Sequence, residues 1–478
     1  MWEFISQKLN EYSESSLFDE QTKISYAQVS DLSIKHGKNL KSQLSPKSIC
    51  AILCESGLNC ALSILACWYA GMIPVILSIN YGERHCSKII ELVQPDILIT
   101  DNENIDFLIF KYNLSNERFM GNKLSFDRGE RSEAIEDVAI IMCTSGTTGT
   151  PKGALITQNA LQENVRKISQ YFNISMIDKI MVARPLYHCA VLTGEFLTAL
   201  FNGASIGFFD DKYNPNSVLQ FVVKNEISVL CGTPTLFNHL SMFIQRNSTL
   251  HNIKKIAISG ECLSKGIAEN IRKGFIETEI YNVYGLTEAS PRVSYLSSEK
   301  FDSFSESVGV PLDGIKIKVV NKDYEELPAN AHGLVMVNTP CMMKGYYNNN
   351  EATVKTILNG WLNTGDIGYK DENGYLYILS RADDMIIKGG MNIYPKEIEN
   401  QIATIEPIQE CVVYGEKTDL GQIIVVDIVL KSESRGASKK EIVALLAGVL
   451  PVYQTPSKIN IVDSITRNAS GKIVRERK

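Results

Sequence analysis

The chain is 478 residues long, 44% hydrophobic and 21% charged, with a formal net charge of -6. That length exceeds the usual size of one core and predicts two or three domains. The acidic balance carries no basic footprint, so nucleic acid is not expected as a main partner, and eleven singly scattered cysteines read as thiols of a reducing, cytoplasmic setting, not as a disulfide frame or zinc site.

The opening stretch MWEFISQKLNEYSESS has early acidic residues and no apolar run, which argues against a secretory signal. Residues Ala61 to Ile79, ALSILACWYAGMIPVILSI, are uncharged and nearly long enough to span a bilayer. Gly71 and Pro74 divide them into a helix-like half and a β-rich half, so a buried helix running into a buried strand is expected instead of a membrane span. From Ser48 to about Gly285, short apolar runs alternate with amphipathic segments. The runs are ICAILCES, IPVILS, DILIT, KIMVARP, SIGFFD, ISVLCGT and KKIAISG; helical patterns include Leu58–Ala70, RHCSKIIELV, Asn216–Asn225 and Ser264–Gly274. Such alternation predicts parallel sheets covered by helices, with ligands gathering at the carboxyl ends of the strands.

Within this region TSGTTGTPKG, Thr144–Gly153, directly follows the β-type run VAIIM. A linker is the plain reading of so many small residues. Linkers rarely follow a strand without a break, however. Glycines let backbone N–H groups approach an anion, hydroxyls add donors, and Lys152 supplies a point charge, so the loop is suited to wrapping phosphates. Its spacing fits neither G-x4-G-K-[ST] nor G-x-G-x-x-G.

From about Ser307 the texture turns β-rich, with IKIKVV, GLVMVN and GYLYIL and turns at Asn321–Asp323 and Asp371–Gly374. The charged SRADD marks a boundary, and Asp384–Lys478 is a mixed portion with helices expected over Pro395–Ile405 and Ser438–Leu450.

Six ordered motifs give the chain a resemblance: TSGTTGTPKG, YGLTE at Tyr284–Glu288, TGD at Thr364–Asp366, SRADD at Ser380–Asp384, GGMNIYPKEIE at Gly389–Glu399 and NASGKI at Asn468–Ile473. It resembles the acyl-adenylate-forming superfamily of acyl-CoA synthetases, peptide-synthetase adenylation domains and beetle luciferases, and looks most like acyl- and aryl-CoA ligases. The resemblance implies an α/β fold: a large N-terminal adenylation domain, 1–382, of parallel-rich sheets flanked by helices with a β-rich subdomain. A small mobile α+β domain, 383–478, would follow a hinge at Asp383. It implies ATP, Mg²⁺ and coenzyme A, or the phosphopantetheine of a carrier protein, as ligands, and a carboxylic acid as substrate. A catalytically dead nucleotide-binding relative is the remaining alternative.

By the same resemblance Thr144, Ser145, Gly146, Thr147, Thr148, Gly149 and Lys152 hold the polyphosphate, and Gly260 and Glu261 of SGEC line the adenine pocket. Asn282, Tyr284 and Gly285 contact the nucleotide, Thr287 and Glu288 are catalytic, and Glu288 also holds Mg²⁺, an ion that prefers oxygen ligands. Asp366 and Arg381 take the ribose, Gly390 lets pantetheine pass, His188 gates the acyl pocket, and Lys472 is the catalytic lysine. Plainer readings stand beside these roles. Asp366 could simply form a turn, Arg381 pair with Asp383 or Asp384 at the surface, and Tyr284 pack in a core. Glu288 could begin a capped helix, His188 be a satisfied core histidine, and Lys472 belong to a solvated tail.

The acyl pocket is expected between Tyr187–Leu197, Leu230–Pro234 and Tyr284–Leu296. With no acid in Cys189–Gly194 and only Glu195 beyond, an α-amino acid is disfavoured as substrate. Arg292 has two readings: exposed or ion-paired at the surface just past Pro291, or buried and facing the pocket, with Glu195 or Glu261 as protein partners.

Overall fold

The computed structural model of the chain describes all residues except 79–82, 102–107, 113–117, 120–121, 124–134, 146–150, 211–213, 248–250, 389–390, 419–420, 432–433, 435, 437, 468–474 and 476–478. Among the described residues the widest sheet has nine strands. Its centre is parallel, in the order Ser16–Phe18, Ser205–Phe208, Lys179–Val182, Val229–Gly232, Lys255–Ile258 and Glu279–Gly285. Lys23–Ser25 closes one edge antiparallel; Arg292–Leu296 and then Val310–Pro311 close the other. A second, six-stranded sheet has Val138–Ser145, Ile73–Ile76, Ile49–Leu53 and Ile97–Asp101 parallel at its centre. Strands such as Ile73–Ile76 and Val229–Gly232 are buried throughout, as expected where helices cover both faces of a parallel sheet.

The uncharged stretch folds inward. Ser56 caps the helix Gly57–Ala70 by accepting from the Asn59 N–H, and Gly71, at φ 74°, ends it. The chain then enters the strand Ile73–Ile76, paired with Ile49–Leu53. Among the described residues no helix is long and apolar enough to cross a membrane.

A third sheet is built from Lys316–Val320, Gly333–Asn338, Ile357–Leu358, Trp361–Lys370 and Leu376–Arg381. Beyond it, a separate apolar cluster runs from Ile386 to Ile459. There the strands Ile408–Thr418, Gly421–Leu430 and Lys458–Ile461 are backed by the helices Pro395–Ile402 and Lys439–Val449, the second opened by a Ser438–Glu441 capping box. The first of these helices stops three residues short of the expected Ile405.

Candidate active site

Two groups of side chains gather around the end of the large sheet's strand Glu279–Gly285, with members from the second and third sheets. The first is centred on Asp366, which lies inside the ten-residue strand Trp361–Lys370 and is not part of a turn. Register pairing sets it opposite Arg381, and Arg381 Nη1 donates to its Oδ1 at 2.8 Å and to the Thr364 carbonyl at 3.0 Å. The surface pairing of Arg381 with Asp383 or Asp384 is therefore replaced by this inner one. The Tyr284 hydroxyl donates to the other oxygen, Oδ2. Burial, and then the Asp366 charge, push Tyr284 well above the usual phenol range, so it stays a donor at any physiological pH. A carboxylate has about four lone-pair sites; Asp366 thus keeps capacity for two vicinal hydroxyls.

The second group is centred on Glu288. After Gly285 the chain makes a tight turn through the 3-10 segment Thr287–Ala289 and returns as the strand Arg292–Leu296. The turn requires glycine: a Cβ on Gly285 would stand 2.0 Å from the Pro291 carbonyl oxygen. The Tyr346 hydroxyl donates to Glu288 Oε1 at 2.6 Å, and the Lys152 ammonium lies 5.3 Å from the centre of the Tyr346 ring, within cation–π reach. Lys152 arrives there because Thr144–Gly153 is not a simple strand-to-loop exit. Val138–Ser145 and Pro151–Thr157 form a hairpin with Thr144 opposite Lys152. Gly146, Thr147, Thr148 and Gly149, like Gly390 and Lys472, lie outside the described residues, and so does the side chain of Ser145.

Gly260, at φ 94°, turns the chain after the strand Lys255–Ile258. Glu261 accepts from Thr235 Oγ1 at 2.9 Å and from Arg467 Nη1 at 3.1 Å. Asn282 is buried, and its amide donates to the Ser305 and Ser307 carbonyls at 3.2 and 2.8 Å. His188 is half-buried, its ring tilted against Tyr187 at 4.3 Å between centroids.

Arg292 corrects the surface reading: it is only 3% exposed. Its backbone N–H and carbonyl are both held by the amide of Asn164, at 3.1 and 2.9 Å. A Cβ on Gly194 would lie 2.6 Å from its Nη2, so the guanidinium rests directly on that glycine, within the π-helical segment Leu192–Leu197. Arg184, just past the strand Lys179–Val182, joins it through Glu195: Arg184 Nη2 donates to the fully buried Glu195 Oε1 at 2.6 Å. Burial raises the Glu195 carboxyl above its usual range, against the pull of Arg184 and Arg292. Glu261, the other candidate partner, is engaged by Arg467. Sequence reasoning missed Tyr346, which sits in no motif, and Arg184, whose role depends on a pairing across eleven positions.

Comparison with known proteins accords with this geometry. The 2-succinylbenzoate–CoA ligase of Bacillus subtilis is 28% identical over 449 residues, covering 92% of this chain and 90% of the relative. A feruloyl-CoA synthase of an Amycolatopsis species is 28% identical over 344 residues, 71% of this chain and 69% of that one. The solved O-succinylbenzoate coenzyme A synthetase of B. subtilis, in complex with ATP and magnesium ion, superposes with a TM-score of 0.83 at 25% identity, over 99% of this chain and 98% of that one. The amide bond synthetase McbA from Marinactinospora thermotolerans shares the fold at a TM-score of 0.85 and 20% identity, over 99% and 98%. The AMP-binding enzyme family model matches residues 6–347 and that of the AMP-binding enzyme C-terminal domain matches 397–472; the chain belongs to the AMP-binding enzymes.

Proposed function

We propose that the protein is an AMP-forming acid–thiol ligase. It joins a carboxylic acid to the α-phosphate of ATP with release of pyrophosphate, then passes the acyl group to the thiol of coenzyme A. The observation that carries this reading is the pairing of two unlike groups around the end of the strand Glu279–Gly285: Asp366, with Tyr284 and Arg381 fixing both of its oxygens, and Glu288, with Tyr346 and Lys152 beside it. The first accepts from neighbouring hydroxyls, as a ribose offers. The second places a carboxylate and an ammonium where a polyphosphate needs them.

The residues fit Mg²⁺. Glu288 is a single carboxylate of the kind that holds this ion together with substrate phosphates. When bound, Mg²⁺ neutralises phosphate charge. Lys152 and the hydroxyls of the Thr144–Lys152 stretch hold the departing pyrophosphate, and Arg381 keeps Asp366 aimed. Lys472 bridges the two anions that must meet, the acid's carboxylate and the α-phosphate. Charge there is greatest in the transition state, so the cation lowers the barrier more than it tightens binding. Transfer to the thiol follows a rotation of the portion beyond Asp383, with Gly390 beside the pantetheine arm.

The test is product analysis with ATP, Mg²⁺, coenzyme A and a panel of acids. AMP, pyrophosphate and an acyl-CoA are expected; ADP and phosphate would refute the reading. Transfer to a carrier protein and not to coenzyme A would refute its second half alone.

A further inference from the structure

The three stretches expected to wall the acid pocket converge on one buried guanidinium. Arg292 comes from the strand after Glu288, Gly194 beneath it from the π-helical segment, and Cys231, which feels both arginines and Glu195, from the strand Val229–Gly232. Among the described residues the local charge does not balance: Arg184 and Arg292 both act on the one buried carboxylate of Glu195. Nor are the polar atoms satisfied. Among the described residues the buried Nε of Arg292, Nε of Arg184 and Oε2 of Glu195 have no hydrogen-bond partner. The Tyr171 hydroxyl stands beside Arg292, but burial pushes it up to about 12, so it brings a neutral dipole and no compensating charge. Unpaired polar atoms in a protein interior are costly, and a surplus guanidinium most of all. Such a feature persists where a ligand completes it.

We infer that the acid this enzyme activates carries a second anionic group, a carboxylate in the plainest case, that binds at Arg292 beside the Arg184–Glu195 pair. This rests on the ligase reading and gives it a substrate class. A planar carboxylate matches the guanidinium fork and takes up the surplus charge. Glu195 opposes it less than a solvated carboxylate would, because burial raises its carboxyl above the usual range and Arg184 already pairs one of its oxygens. A hydrocarbon tail would leave the same atoms unpaired and so is selected against.

The experiment is ATP–pyrophosphate exchange with matched acids that differ by one distal carboxylate: hexanoate with adipate, and 3-phenylpropanoate with its 4-carboxy derivative. The better diacid is expected to exceed its monoacid partner at least about tenfold in kcat/KM. Arg292→Leu is expected to raise the KM for that diacid by about 10- to 100-fold, the effect of losing a charged hydrogen bond, with kcat moving far less. Arg292→Lys should recover part of the loss. ATP-dependent thermal stabilisation of each variant establishes that it is folded. If Arg292→Leu does not fold, Gly194→Ala carries the test by pushing the guanidinium off its seat, and should lower the diacid preference. Exchange that favours monoacids, or a variant that loses both members of a pair equally, overturns this inference and leaves the ligase reading standing. No exchange with any acid overturns both.

Discussion

At the scale of single residues, Asp366 is held by two donors that both depend on its charge. Asp366→Ala leaves the Tyr284 hydroxyl and the Arg381 guanidinium facing each other with nothing between them. The KM for ATP in pyrophosphate exchange is expected to rise by about 10- to 100-fold, at ~1.5–3 kcal/mol for hydrogen bonds to a charged group. Tyr284→Phe removes one donor and keeps the ring, so its effect should be several-fold smaller. Glu195 gives a pH signature. Its native pKa is raised while the unfolded chain keeps the ordinary value, so between the two the native state holds the extra proton. Stability therefore falls as pH rises from the unfolded value through the native one, then levels off. Glu195→Gln should flatten that slope in thermal melts from about pH 4.5 upward while keeping an acceptor for Arg184. A slope that survives the substitution would assign it elsewhere. Both residues show what the sequence carried and what it hid. TGD was legible as a motif, but not that Asp366 sits mid-strand, because the neighbouring Thr and Gly are read as turn-formers. Arg292 was legible as a choice between surface and pocket; only the third dimension, with Gly194 and Asn164 around it, decides for burial.

At the scale of elements, the turn from Glu279–Gly285 into Arg292–Leu296 joins the Glu288 group to the buried Arg292. Glu288 sits in the turn and Arg292 opens the returning strand, paired in register with Gly285. Gly285→Ala must force the Pro291 carbonyl aside, at about 1–3 kcal/mol for overpacking a closed site. A lower urea midpoint is expected, with weaker affinity for both ATP and the acid. Loss of one affinity without the other would mean that the turn does not couple the two groups. The parallel core was legible because its strands are short Val/Ile runs bounded by turn residues and separated by amphipathic helices. The strand Trp361–Lys370 was not. Its burial alternates, but its sequence, WLNTGDIGYK, breaks the apolar period on the buried face at Thr364 and Asp366.

At the scale of the whole molecule, polar contacts among the described residues tie the portion beyond Asp383 to the rest. Arg467 donates to Glu261 on one side and to Glu410 on the other. Asn400 Nδ2 donates to Glu306 at 3.0 Å, and His332 approaches Glu397 at 3.9 Å. Contacts of this kind are weak enough to break and re-form. Arg467→Ala is expected to raise amide hydrogen exchange together in the loop 259–263 and the strand Ile408–Thr418. A rise confined to one side would show that Arg467 does not hold the two together. No motif contains Arg467, Glu410 or His332. Contacts between parts leave no period in a sequence.

The clamp on residue 292 has a consequence for how such an enzyme diversifies. Asn164, on the helix Gln158–Phe172, grips the backbone of that residue and not its side chain. The strand is thereby laid by one residue and its chemistry chosen by another. Lineages, or libraries built in the laboratory, can exchange the reagent at position 292 without rebuilding the strand that carries it. Position 164 has no such freedom.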